Sequence, residues 1–108
     1  MAGTFTIKAL GEGQLAATKG TIYTTPGSTQ TIVKTITLVN TTAGALAINL
    51  YIKSGATSRR ITPKDMSLGA GELLESDRDY TLEAGDLIEG DAASATSVDY
   101  TVNGVEET

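Results

Sequence analysis

The stretch LAINLYIK, residues 46–53, constrains the fold more than any other part of the chain. Leu46, Ile48, Leu50 and Ile52 alternate with Ala47, Asn49, Tyr51 and Lys53. A period of two places one set on each face of a strand, with the aliphatic set turned to a core. A second strand is read over residues 31–39, with Ile32, Ile36 and Leu38 on one parity and Thr35 and Thr37 on the other. Lys34 interrupts the apolar parity and must lie near a sheet edge or reach solvent. Between the two strands lies NTTAG, a short polar segment with a glycine that suits a hairpin loop.

The rest of the chain repeats this pattern. TFTIKA (4–9) alternates through Phe5, Ile7 and Ala9, and SVDYTV (97–102) turns Val98, Tyr100 and Val102 inward. Shorter strands are expected at 21–24, 58–62, 72–75, 80–82 and 86–89. They are separated by the turn signals TPGST, KSGA, LGAG and EAGD. No window carries sustained helical periodicity. One helical turn is permitted at PKDMSL (63–68), and Asn103-Gly104 suits a turn. GEGQLAATKG (11–20) reads as a loop or a short strand. The expected fold is all-β: a single immunoglobulin-like or jelly-roll β-sandwich. Residues 1–19 form an N-terminal arm or edge segment, and 20–108 the sandwich domain.

Composition narrows the chemistry. The 108 residues contain no Cys and no His, one Phe, four Tyr and no Trp. Disulfides, thiolate nucleophiles and zinc ribbons are excluded, as is the commonest general base near neutral pH. Serines are available, but nothing marks a lysine as buried beside one, so no catalytic residue is assigned and an enzyme is not expected. The acids Asp77, Asp79, Asp86, Glu89 and Asp91 match no calcium loop and read as a solvated surface. A glycosidase would want aromatic platforms beside its carboxylates, and Trp is absent. Ser58-Arg59-Arg60, with Lys53 and Lys64, makes a local basic patch able to hold an anion or an acidic partner. The glycines match no phosphate loop. No metal and no cofactor is expected. MAGTFTIKALGEG has no apolar run long enough for a signal peptide or a membrane span.

Charge is divided along the chain. Residues 1–64 carry seven basic groups and Glu12, net +6; residues 65–108 carry Arg78 and twelve acids, net −11. Either basic and acidic strands neighbour one another within the fold, or opposite faces join copies. The close interleaving of strands in a small domain favours the first reading.

These elements together resemble the small virion structural proteins of tailed bacteriophages. The resemblance spans about residues 20–107 and rests on a strand ending Leu38-Val39-Asn40, a partner strand with Leu50-Tyr51-Ile52, and the turn LGAGE (68–72). The segment from Leu82 to Ile88 and a closing strand from Tyr100 to Gly104 complete it. It implies a non-enzymatic virion protein, made in the host cytoplasm, that decorates or cements a capsid. A tail, neck or baseplate protein is the alternative, and a carbohydrate- or receptor-binding β module a further one. The implied partners are the phage major capsid protein or other virion proteins and copies of the chain itself, a trimer being favoured. No membrane and no nucleic acid is expected. Interface residues would be Phe5 and Ile7, the basic pair Arg59 and Arg60, and the acids Asp77, Asp79 and Asp86.

Overall fold

The two strands that flank NTTAG lie in different sheets. The computed structural model describes residues 3–108 and contains ten strands. In chain order they are β1 (Phe5–Gln14), β2 (Gly20–Thr24), β3 (Gln30–Asn40), β4 (Leu46–Ser54) and β5 (Thr57–Arg60). Then follow β6 (Met66–Leu68), β7 (Leu73–Ser76), β8 (Tyr80–Leu82), β9 (Leu87–Ala92) and β10 (Val98–Glu107). The first sheet runs β1-β10-β3, with β7 and β8 sharing the far side of β3. The second runs β2-β9-β4, with β5 and β6 sharing the far side of β4. Every pairing is antiparallel. The sheets pack face to face over an aliphatic core that includes Val33, Ile36, Leu38 and Val102 from one and Ile48, Leu50 and Ile88 from the other. The expected all-β sandwich is the fold observed.

The expected hairpin between residues 31–39 and 46–53 is not formed. β3 is taken on both sides within its own sheet, so NTTAG carries the chain across to the second sheet. Asn40 fixes that corner. Its buried Nδ2 donates to the carbonyls of Gly44 (2.8 Å) and Leu68 (2.9 Å). Its Oδ1 accepts from the Thr42 N–H (2.9 Å) and hydroxyl (2.7 Å). A short polar loop with a glycine satisfies either geometry, and the four bonds of this side chain hold it in the crossing one.

Three further expectations are corrected. Residues 66–68 are strand β6, paired with 46–48, and not part of a helical turn. Asp65 before them takes a left-handed φ of 52°, which a right-handed turn excludes, and its N–H donates to Asn49 Oδ1 (2.8 Å). Asn103-Gly104 lies within β10 and is not a turn. Gly104 faces Val33 while Asn103 faces Thr35, so Lys34 is an extra residue in β3. This β-bulge shifts the parity: Thr31 and Val33 point inward before it, and Ile36, Leu38 and Asn40 after it. Ile32, read with Ile36 and Leu38, therefore turns outward and is 40% exposed. A Cβ at Gly104 would lie 2.3 Å from the Ile32 carbonyl oxygen, so close backbone approach at the bulge requires glycine.

The remaining turn signals hold. In LGAGE the Gly71 φ is 68° and the Glu72 N–H donates to the Gly69 carbonyl (3.0 Å). In EAGD the Gly85 φ is 87° and the Asp86 N–H donates to the Glu83 carbonyl (3.0 Å). The stretch 11–20 divides between the end of β1 and a connection whose Leu15 is buried in the core.

Candidate functional site

β1 is an edge strand, paired with β10 alone. Its inward set reaches the core through Leu10. Its outward set begins with Phe5, 69% exposed, and Ile7, 91% exposed. Ile7 stands opposite Val105, and Val105 opposite Ile32. Residues opposite one another in an antiparallel ladder share a face. Ile7, Val105 and Ile32 therefore form an apolar row across three strands, extended along β1 by Phe5. Its area is on the order of 300 Å², the scale at which a patch on a monomer is often an interaction site. Phe5 and Ile7 came from the sequence reading. Ile32 and Val105 did not, because the bulge at Lys34 that turns Ile32 outward has no signature in the alternation.

The charged residues of the sequence reading fall elsewhere. Arg59 pairs with Ile52 and so lies on the inner side of the second sheet at its open edge, exposed. Arg60 lies on the outer side, where its guanidinium donates to Asn49 Oδ1 and sits 5.0 Å from the Tyr51 ring centre. Lys19 Nζ lies 4.2 Å from that same ring centre. The Tyr51 hydroxyl donates to Asp91 (3.2 Å), and Asn49 Nδ2 donates to Asp91 (2.9 Å) and Asp65 (3.1 Å). This polar layer covers Asn49 and Tyr51, so both are buried although they point away from the core. Burial, then the Asp91 carboxylate, pushes the Tyr51 hydroxyl up in pKa. Asp77 and Asp79 lie in the β7–β8 connection, and Asp79 pairs with Lys34 (2.9 Å). Asp86 is occupied in its own turn, where its carboxylate accepts the Glu83 N–H (3.0 Å). Phe5 and Ile7 thus stand on one edge of the sandwich, and Arg59 and Asp77 on the other. Among the described residues no three His, Cys, Asp or Glu gather as a metal site, and no helix is long and apolar enough to cross a membrane.

Both sheets mix strands of the basic and acidic halves, so the two charge blocks interleave. Only two ion pairs form among the described residues, Lys34–Asp79 and Lys8–Glu106. Several carboxylates are instead held by uncharged hydrogen-bond donors within the fold, among them Asp65, Asp86 and Asp91.

One polar cluster escaped the sequence reading. Glu106 continues the inward parity of Val98, Tyr100, Val102 and Gly104 and is buried beneath β1. Its carboxylate accepts from the Tyr23 hydroxyl (2.6 Å) and from Lys8 Nζ (3.2 Å), and Thr31 Oγ1 lies 2.9 Å from the same hydroxyl. The Tyr23 hydrogen bond, supported by Lys8 and opposed by burial, holds the Glu106 carboxyl below the usual carboxylate range. Burial, then the bond to Glu106, pushes the Tyr23 phenol up to about 12. A phenol held protonated and a carboxylate held ionised form a structural tie between the sheets, and neither is poised to exchange a proton near neutral pH. The alternation of β10 carried this signal; it needed only to be continued four residues further.

No protein-family model matches the chain, and no curated protein matches it. Solved structures do match. A chain of the T13 particle of IBDV superposes with a TM-score of 0.58 at 6% identity, over 99% of this chain and 31% of its own length. This chain thus spans about a third of that one. A chain of the acid-stable capsid of Helicobacter pylori bacteriophage KHP30 gives 0.57 at 11% identity, over 100% and 90%. A chain of the disulfide-linked pili that form Bacillus endospore appendages gives 0.56 at 21% identity, over 98% and 89%. Likeness at these identities defines the class of fold: a two-layer antiparallel sandwich shared with chains of virus particles and of a pilus.

Proposed function

We propose that this chain is a non-enzymatic structural protein of a virus particle, a decoration or cement protein that binds the assembled capsid of a bacteriophage. The observation that carries the reading is the apolar row at the β1 edge, with Ile7 91% exposed in a chain without His or Cys. A surface of that kind gains by burial against another protein, roughly 25 cal/mol per Å² of apolar area covered. The sandwich it shares with the KHP30 capsid chain over 90% of that chain's length supports the same reading. The partners would be the major capsid protein and copies of this chain, and the protein would reside in the virion. A position in the tail, neck or baseplate would use the same surface.

Co-sedimentation tests this. Purified chain is added to particles of the encoding virus that lack it, beside the Ile7→Asp variant. The wild type is expected to pellet with particles at saturable copy number, and the variant to remain in the supernatant with its thermal melt unchanged. Failure of both to bind, or equal binding of both, overturns the reading.

The likeness to the endospore pilus chain favours a second reading, a subunit of a filament. The chain has no Cys, so covalent linkage by disulfides is excluded here. Electron microscopy of concentrated protein separates the two readings: fibres support the second, and their absence together with particle binding supports the first.

A further inference from the structure

The sandwich is closed on one side and open on the other. β1 and β2 approach each other at one edge. At the opposite edge both sheets are interrupted at mid-length. β7 pairs with β3 at 36–39 and β8 at 31–33, so Lys34 and Thr35 have no ladder partner there. β6 pairs with β4 at 46–48 and β5 at 51–54, leaving residues 49–50 without a strand partner on that side. Leu50 is served instead by the Ile61 N–H (2.9 Å) and the Thr62 hydroxyl (3.1 Å). The gaps coincide and open a cavity of about 340 Å³ into the core. Its floor is Ile36 and Leu50, both nearly inaccessible, and Ile61, Met66, Leu74 and Tyr80 wall it.

The two lips of this mouth carry opposite charge. Residues 57–66, from the second sheet, hold Arg59, Arg60, Lys64 and Asp65, net +2. Residues 73–80, from the first, hold Glu75, Asp77, Arg78 and Asp79, net −2, with Asp79 already paired to Lys34 of the same sheet. No ion pair crosses the mouth among the described residues, and neither Arg59 nor Asp77 has one elsewhere.

We infer that the mouth is a contact between two copies of this chain related by a twofold axis. A twofold interface must be self-complementary, with each element meeting its counterpart's opposite. A mouth with one acidic and one basic lip meets that requirement. Rotation by half a turn sets the acidic lip of each copy on the basic lip of the other, and the apolar floors face each other in the centre. The lips supply 18 residues per copy, close to the roughly 20–30 a side of a standard interface. The contact also covers the short, interrupted edge strands of both sheets, the parts of a sandwich most open to unwanted strand pairing. It uses the edge opposite to Phe5 and Ile7 and does not depend on what that apolar row binds.

Sedimentation equilibrium on the full chain across protein concentration tests the inference, at low salt and in 1 M NaCl. The expected result is twice the 11.1 kDa chain mass at low salt, with dissociation in high salt. Arg59→Glu alone and Asp77→Arg alone each place like charges together and are expected to weaken the dimer at least about tenfold. The double variant is expected to recover to within about threefold of wild type, because the exchanged charges meet again across the axis. Melting curves of all three exclude misfolding as the cause. A chain that stays monomeric at low salt at about 100 µM, a trimer or larger ring, or a double variant no tighter than the singles each overturns the inference. Particle binding by a monomeric chain would overturn this contact and leave the proposed function standing. A dimer that binds no particle would do the reverse.

Discussion

Replacing Tyr23 by Phe removes one oxygen from the cluster at Glu106 and leaves the ring in the core. The hydroxyl donates at 2.6 Å to a carboxylate that is only 6% exposed, so water does not take its place. A hydrogen bond to a charged group is worth about 1.5–3 kcal/mol, and the loss leaves Glu106 with Lys8 as its remaining side-chain donor. We expect a destabilisation of about 2 kcal/mol at pH 7, or a fall in Tm of roughly 8–16 °C for a domain of this size. The pH dependence gives the sharper test. Glu106 in the folded chain has a lowered pKa, so its contribution is present above about pH 4.5 and lost as pH falls through the folded value. The Tyr23 bond is the largest cause of that lowering. In the variant burial pushes the carboxyl back up, and acid sensitivity begins at higher pH. Below both values Tyr23 donates to a neutral acid, and the gap between the proteins narrows to about 1 kcal/mol. At the alkaline end the sign reverses. The raised Tyr23 pKa contributes stability below pH 10 that the wild type loses as pH rises towards about 12, and the variant has no such limb. Thermal melts by circular dichroism from about pH 2.5 to about pH 11 read the acid limb, the neutral plateau and the onset of the alkaline limb. A variant within about 2 °C of wild type at pH 7, or with the same acid limb, refutes the reasoning.

Gly104→Ala sets a Cβ against the Ile32 carbonyl, which backbone pairing holds in place. It should cost about 3 kcal/mol in urea denaturation and flatten or displace the bulge. Asn40→Ala removes the side-chain donor of the Leu68 carbonyl, leaves the Gly44 carbonyl with the Thr42 hydroxyl alone, and takes the hub from the crossing loop. A loss of about 3 kcal/mol is expected by the same assay, with Asn40→Asp intermediate. Lys34→Ala removes an ion pair in which both side chains are more than half exposed, so its cost should stay below about 1 kcal/mol and vanish in high salt.

The longer strands were legible because one face of each is buried, whereas the three-residue β6 was read as part of a helical turn. LAINLYIK and SVDYTV alternate as the core demands, and LGAGE and EAGD turn where their glycines allow positive φ. Sheet membership was not legible. Alternation states which way a side chain points, not which strand lies beside it, and NTTAG serves a hairpin or a crossing equally well. The bulge was hidden for a related reason. Lys34 looked like an intruder in an apolar parity, when it is an inserted residue that moves Ile32 to the surface. Of the candidate surface, Phe5 and Ile7 were readable from β1 alone, whereas Val105 and Ile32 join them only through two ladder registers. Glu106 was passed over because Asn103-Gly104 reads as a turn that ends the last strand, whereas β10 continues through it and sets Glu106 against Tyr23 and Lys8.

A building part of a particle held by its β1 edge must be found there with that edge covered. The most direct measurement is a cryo-EM reconstruction of purified particles of the encoding virus. The account predicts stoichiometric density for the sandwich on the shell, with Phe5, Ile7 and Ile32 buried against a neighbouring protein. Particles that lack the chain, or hold it with that apolar row facing solvent, would contradict it.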